Sequence, residues 1–168
     1  MWKINKILGI DPGFGRMGWA IVSRKKNDYS AEEAGCFETK NNIPYPERIQ
    51  RIGGEIEKII VKHRPEAMAI EKLFFTANQK TALRVAEARG VIIYLASAAK
   101  IPILEYTPLE VKVAVCGYGK ADKKQIQRMI QILLKLKSAP KYDDETDALA
   151  VALTAFSYQK FYLSPETK

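Results

Sequence analysis

The apolar positions of this chain change period along its length, and the changes divide it into elements. Residues 5–11 (NKILGID) form a short apolar run that ends in Asp11, and residues 18–24 (GWAIVSR) form a second built on Trp19, Ile21 and Val22. Both predict buried strands. Asn27-Asp28 marks a turn, and 29–39 reads as a third strand. The period then lengthens: Ile49, Ile52, Ile56, Ile59 and Ile60 recur at helical spacing, with Pro44 and Pro46 before them and Pro65 after. Gly53 and Gly54 weaken this helix, and close packing against a neighbour is the reason expected for them. Residues 66–71 (EAMAIE) predict a central strand ending at Glu71. Thr76–Gln79 has the pattern of a capping box and opens an Ala-rich helix over 77–99. A last strand is expected at 101–106 and a short helix at 108–115. Asp122 can cap the next helix, whose stripe is Ile126, Met129, Ile130, Leu133 and Leu134. After Ser138-Ala139-Pro140, a final helix runs from Asp143 or Asp144 to about Tyr158.

Three strands in succession imply an antiparallel meander, and the later strands are joined through helices. The fold class expected is α/β, a mixed five-stranded sheet with its first three strands antiparallel and helices flanking it. This order disposes of one motif. Gly13, Gly15 and Gly18 have the G-x-G-x-x-G spacing, but WAIVS follows where a dinucleotide fingerprint needs a helix. The glycines and Pro12 instead predict a tight turn. Gly119-Lys120 resembles the end of a Walker A loop, but Ala114 and Ala121 occupy its required Gly and Ser/Thr positions.

Composition adds bounds. The chain has 168 residues, enough for one domain with its own core, and is 47% hydrophobic and 27% charged. No stretch approaches the ~18 uninterrupted apolar residues of a membrane span, and MWKINKILGIDPG has no signal-peptide pattern. Cys36 and Cys116 are expected to be free thiols in a reducing cytoplasm. The single histidine, His63, excludes a multi-histidine zinc site and is expected at the surface. The net charge is +8, and nearly all of the excess lies between Lys112 and Lys141, which hold eight basic residues and one acidic. Such a segment either faces a polyanion or is a solvated helix surface.

The acidic residues supply the chemistry. Asp11 ends one apolar strand and Glu71 another, so the two share one end of the sheet if those strands are neighbours. Asp144 and Asp147 are three apart and share a helix face, and ALAVALTAF after Asp147 turns that face inward. A turn role for Asp11 and a capping role for Asp144 are the structural alternatives; Asp143 and Glu145 suit the helix N-terminus. Three or four carboxylates converging without histidine or thiolate suit Mg²⁺ or Mn²⁺. Two such ions about 4 Å apart serve phosphodiester hydrolysis. An acidic metal cluster with a separate basic track points to a nuclease.

ILGIDPG, AIEKLFF, an Ala-rich helix containing ARG, the GYG loop and DETDALAVAL occur in that order over about residues 6–157. Together they resemble the RuvC family of Holliday-junction resolvases. The resemblance implies a ribonuclease H-like fold, a homodimer, and Mg²⁺-dependent nicking of two opposed strands in a four-way DNA junction. A branch-migration helicase complex is the implied protein partner. The family's catalytic, metal-holding carboxylates fall on Asp11, Glu71, Asp144 and Asp147, with Asp143 the neighbouring alternative for Asp144. Its junction-contacting aromatic falls on Phe74, and its basic DNA contacts on Lys112 and on Lys123 or Lys124; Lys120 and Arg16 are further candidates. Residues 1–160 are expected to form one nuclease domain, and 161–168 a flexible tail. The Ala-rich helix, with Leu83, Val85, Val91 and Tyr94, is the candidate dimer surface unless it packs on its own sheet. Another nuclease of this fold and a non-catalytic nucleic-acid-binding module are the alternatives; an actin-like ATPase would need a duplicated domain, and no repeat is present.

Overall fold

A computed structural model describes residues 4–26, 28–73 and 79–162. Five strands form one mixed sheet: β1 (Lys6–Asp11), β2 (Arg16–Lys25), β3 (Asp28–Glu38), β4 (Ala67–Glu71) and β5 (Ile103–Tyr106). Their order is β3-β2-β1-β4-β5; β1, β2 and β3 are antiparallel, while β4 and β5 run parallel to β1. The helices are α1 (Tyr45–His63), α2 (Gln79–Ala98), α3 (Pro108–Cys116), α4 (Lys123–Leu133) and α5 (Asp143–Tyr162). The segment GWAIVS therefore lies within β2, as the rejection of the dinucleotide motif requires. The long carboxy-terminal helix runs to Tyr162, past the expected end near Tyr158. The capping-box positions Thr76–Asn78 and the aromatic Phe74 lie outside the described residues.

The strands put unlike residues on the two faces of the sheet. One face presents Leu8, Ile10, Met17, Trp19, Ile21, Met68 and Ile70, and packs on α1 and α2. The other presents Ile7, Ala20, Val22, Ala67 and Ala69, with Gly9 and Gly18 among them, and takes α5. Helix α5 answers with Ala148, Ala152 and Ala155, all fully buried. Small residues on both sides let the helix backbone approach the sheet closely. A Cβ at Gly9 would lie 2.1 Å from the Ala148 carbonyl oxygen, and one at Gly18 1.9 Å from that of Asp144. Helices α3 and α4 pack beside α5 on this face.

Local signals set the ends of the helices. Thr107 and Glu110 form a capping box for α3, and Asp122 and Gln125 form one for α4. Helix α1 starts after Pro44 and stops at Arg64, whose backbone is left-handed (φ 49°), just before Pro65. The glycine pair in α1 divides: a Cβ at Gly53 would meet Val91 of α2 at 3.3 Å, whereas one at Gly54 would meet nothing within 4 Å. Helix packing thus accounts for Gly53 only. His63 departs from its expected surface position. Its side chain is 9% exposed, its Nε2 lies 3.1 Å from Glu33, and its ring faces Trp19 at 6.0 Å, because the last turn of α1 folds over β2 and β3. Both cysteines are free. Among the described residues no helix is long and apolar enough to cross a membrane.

The close approach of α5 gives a test. Gly18→Ala should destabilise the protein by about 1–3 kcal/mol or more, because the methyl group meets backbone on the facing helix. Gly54→Ala, in open helical space, should stabilise it by about 0.5–1 kcal/mol. Urea unfolding of the two variants beside the parent measures both signs.

Candidate active site

Asp11 is the last residue of β1, and Glu71 the last of β4. The two strands are parallel neighbours, in register from Ile7 opposite Ala67 to Ile10 opposite Ile70, so both carboxylates leave the sheet at the same end. Asp144 and Asp147 come from the first turns of α5. Gly18, which pairs with Asp11 across the β1–β2 ladder, receives the Asp144 backbone against its bare Cα. The sheet–helix contact thus brings α5's first turn to the strand ends. Glu71, Lys112, Lys123 and Asp147 share the wall of a hollow of about 380 Å³. A second hollow, about 310 Å³, has Lys123, Lys124, Asp143, Thr146 and Asp147 in its wall. A hollow of about 410 Å³ lies at the opposite end of the sheet, but among its lining residues Glu66 and Lys100 are the only ionisable side chains, so the chemistry belongs to the carboxylate end.

Burial and mutual repulsion dominate the electrostatics. Desolvation pushes Asp11 up to about 8, and Asp147, Glu71 and Asp144 push in the same direction while Lys123 opposes them. Glu71 rises to about 7 through burial and the charge of Asp147, with Lys112 opposing. Asp147 is also raised, first by burial, then by Asp143 and Asp144, against Lys123. Among the described residues none of these three carboxylates has a lysine or arginine nitrogen within 4 Å. Asp144 differs: its Oδ2 lies 3.3 Å from Arg16 Nε. The Cys36 thiol, held up at about 11 by burial and by the charge of Asp144, stays protonated and donates to the same oxygen at 3.9 Å.

Among the described residues no three His, Cys, Asp or Glu side chains stand together as a ready-made metal-binding group; the charge of Asp147 nonetheless reaches both Asp11 and Glu71. Asp144 is turned to Arg16, and the exposed Asp143 is 3.6 Å from Lys123. Glu145 accepts the Lys141 backbone N–H, the helix-terminal role expected of it.

The basic candidates separate. Lys112 is half-buried beside Glu71, while Lys123 and Lys124 are exposed on the first turn of α4 and face the two hollows. Lys120 is exposed in the loop before α4 and lines neither hollow. Arg89 was missed by sequence reasoning. From α2 its Nε donates to the Glu71 carbonyl at 3.1 Å, and its guanidinium pairs with Glu105, which fixes the strand end that carries Glu71. An arginine within an Ala-rich helix was the available signal. The Thr146 hydroxyl, buried without a hydrogen-bond partner among the described residues, also lines the second hollow.

A family model described as crossover junction endodeoxyribonuclease RuvC matches residues 7–155. The chain belongs to this family. A crossover junction endodeoxyribonuclease RuvC of Brevibacillus brevis is 44% identical over 156 residues, covering 93% of this chain and 94% of its own. That of Pelotomaculum thermopropionicum is 46% identical over 147 residues, covering 88% and 90%. Among solved structures, Thermus thermophilus RuvC in complex with a Holliday junction substrate superposes with a TM-score of 0.90 at 33% identity, over 94% of this chain and 96% of that one. The yeast mitochondrial Holliday junction resolvase Ydc2 shares the fold, with a TM-score of 0.72 at 14% identity over 95% and 81% of the two chains. The chain is accordingly an endodeoxyribonuclease of the RuvC family, and its mixed sheet with an antiparallel first half is the family's.

The raised carboxylates make stability depend on pH. An acid whose folded pKa lies above its unfolded value stabilises the fold fully below the unfolded pKa and loses that contribution as pH rises through the folded one. For Asp11 the window runs from 3.8 to about 8. The metal-free protein should therefore lose stability across that range, and Asp11→Asn should flatten the loss. At about pH 9 in chelator, its melting temperature should rise by roughly 2–4 °C for each kcal/mol relieved. Thermal melts against pH, parent beside variant, check the sign.

Proposed function

We propose that this chain resolves four-way DNA junctions by divalent-metal-dependent hydrolysis of two opposed strands, working as a homodimer in the cytoplasm with a branch-migration helicase complex. The observation that carries the reading is the buried, mutually repelling set Asp11, Glu71 and Asp147 at one end of the sheet, with Lys112 and Lys123 at its rim. The donor chemistry fits a hard cation. All the donors are carboxylate oxygens, burial has partly stripped them of water, and three of them have no lysine or arginine partner within 4 Å among the described residues. Asp11, Glu71, Asp144 and Asp147 would hold Mg²⁺, or Mn²⁺ in its place, with two ions per site. Bound there, such ions supply Lewis-acid activation of water and neutralise charge on the leaving oxygen.

The chain's own groups do the rest. Lys112 and Lys123 place positive charge where a phosphodiester approaches a negative pocket, offsetting repulsion between the DNA backbone and the carboxylates. Lys124 extends that charge along the first turn of α4, and Lys120 and Arg16 supply flanking contacts. Arg89 holds the Glu71 backbone, so the carboxylate at the end of β4 has a fixed origin. Phe74, three residues beyond Glu71, is assigned to stacking on an unpaired base at the junction, a contact worth about 1–3 kcal/mol. The dimer surface is assigned to the outer side of α2, where Leu83 is 60% and Tyr94 69% exposed. The same helix packs inward through Ala88, Ile92 and Ala96, with the half-buried Val85 and Val91 at the sides. It can serve its own core and a second copy at once, and a two-fold dimer sets one active site on each of two opposed strands.

Two experiments test this reading. A synthetic four-way junction with Mg²⁺ should receive paired nicks at the crossover, and a linear duplex none. Asp147→Asn should cut at least about a hundredfold more slowly while its junction affinity in chelator stays close to the parent's. Indiscriminate duplex cutting, or full activity in the variant, would overturn it. The dimer is tested separately: Leu83→Glu with Tyr94→Glu should turn a dimer into a monomer in analytical ultracentrifugation, with the melting temperature little changed.

A further inference from the structure

Arg16 is the first residue of β2 and lies two positions before Gly18, so the two share a face of the strand. Gly18 sits against the Asp144 backbone, which places Arg16 on the same side. Its Nε is 3.3 Å from Asp144 Oδ2. Among the described residues Asp144 is the one carboxylate of the four candidate ligands that a cation neutralises directly. The pair is weakly held, with the arginine side chain 49% exposed, and ion pairs so open to water are worth about 0–1 kcal/mol. A weak pair is what an exchange between partners requires.

Arg16 also borders a second place for an anion. Gly15, Arg16, Glu38, Thr39, Lys40 and Asn41 line a depression of about 340 Å³. Arg16 and Lys40 give it positive charge and Asn41 an amide; Glu38 is its one acid. Beneath it lies Arg48, 5% exposed. The Arg48 guanidinium donates to Thr39 Oγ1 at 3.0 Å and to the carbonyls of Thr39 and Phe14 at 3.3 and 3.4 Å, and stacks on the Phe14 ring at 3.8 Å. Among the described residues it has no carboxylate partner. A buried cation neutralised only by dipoles and a ring leaves a positive field above it. A Cβ at Gly15 would meet Arg48 Nη2 at 3.9 Å and nothing nearer, so little but backbone separates the depression from that charge.

We propose that Arg16 is a counter-ion shared between two anions: it neutralises Asp144 in the free protein, and a DNA phosphodiester seated in the Gly15–Asn41 depression draws it away, freeing Asp144 to join the metal ligands. The proposal rests on the reading of the carboxylates as the hydrolytic site. It makes Arg16 a positioning residue that ties the availability of one metal ligand to the presence of DNA, a coupling that is reciprocal by thermodynamic linkage.

Two measurements on the full chain test it, neither using cleavage as its readout. In the first, Mn²⁺ binding without DNA is followed by calorimetry. Arg16→Ala should tighten binding about two- to fivefold, and the gain should vanish when Asp144 is already Asn. An equal gain in the Asp144→Asn background would reveal a general field effect, and unchanged or weaker binding in Arg16→Ala would mean that the pair does not compete with metal; either result overturns the proposal. If Asp147→Asn leaves the parent's Mn²⁺ titration unaltered, the carboxylate reading itself falls and takes this inference with it. In the second, junction affinity is measured against salt in chelator. Losing one phosphate contact should make the slope of log K on log salt shallower by about 0.9, so Lys40→Ala and Arg16→Ala should each flatten it. An unchanged slope in both removes the phosphate from the depression and overturns the exchange.

Discussion

The close contact between α5 and the sheet is the constraint on which the site depends. Glycine at positions 9 and 18 leaves no side chain between strand and helix, and the helix replies with alanines. Such an interface has little freedom to slide or lift, because the atoms in contact are backbone rather than flexible side chains. The helix that carries Asp144 and Asp147 is therefore placed by the same contact that closes the core. On the opposite face, Leu8, Ile10, Met17, Trp19 and Ile21 supply bulk and apolar burial against α1 and α2. One face of the sheet gives burial and the other gives position, and alternation along β1 and β2 lets a single strand do both.

Position is needed because the carboxylates do not favour their own arrangement. Each is raised by desolvation first and by its neighbours second, so the pocket assembles against its electrostatics while the charge is unbalanced. Packing elsewhere holds it: the β1–β4 register, the Gly18 contact and the Arg89 bond to the Glu71 carbonyl all act on backbone and stay indifferent to the protonation of the carboxylates. Lys112 and Lys123 counter the repulsion from the rim without forming close pairs with Asp11, Glu71 or Asp147, which leaves their carboxylate oxygens for other cations. Destabilised sites on rigid scaffolds are a recurrent compromise between stability and function.

Much of this was legible in the sequence. The strands ending at Asp11 and Glu71, the meander and the inward turn of the last helix all follow from local periodicity, which sequence carries directly. Two kinds of feature were not legible. Contacts between distant segments, such as Arg16 with Asp144 or Arg89 with the Glu71 carbonyl, depend on which elements become neighbours, and no local pattern states that. His63 was misplaced for the same reason: a polar residue before Arg-Pro looks solvent-facing until Trp19 and Glu33 are seen beneath it. Nor does sequence distance report burial, which stands first among the causes that raise Asp11 and Glu71.

The basic segment shows why linear charge density is an incomplete guide to a binding surface. Between Lys112 and Lys141 the excess looks continuous. In space it divides. Lys112, Lys123 and Lys124 turn toward the carboxylate pocket from α3 and the first turn of α4. Lys135, beyond the far end of α4, pairs with Asp28 at the β2–β3 turn, 3.0 Å away. A helix of 11 residues separates it from the pocket lysines, about 16 Å at 1.5 Å per residue. That is beyond the Debye length of about 8 Å at physiological salt, so Lys135 contributes little to the field at the pocket. The charge that matters to the site is the small group at the N-terminus of α4, where a lysine opposes the helix dipole and gains nothing from its own helix. Its favourable partner must come from elsewhere, and the carboxylates beside it provide only part of that balance.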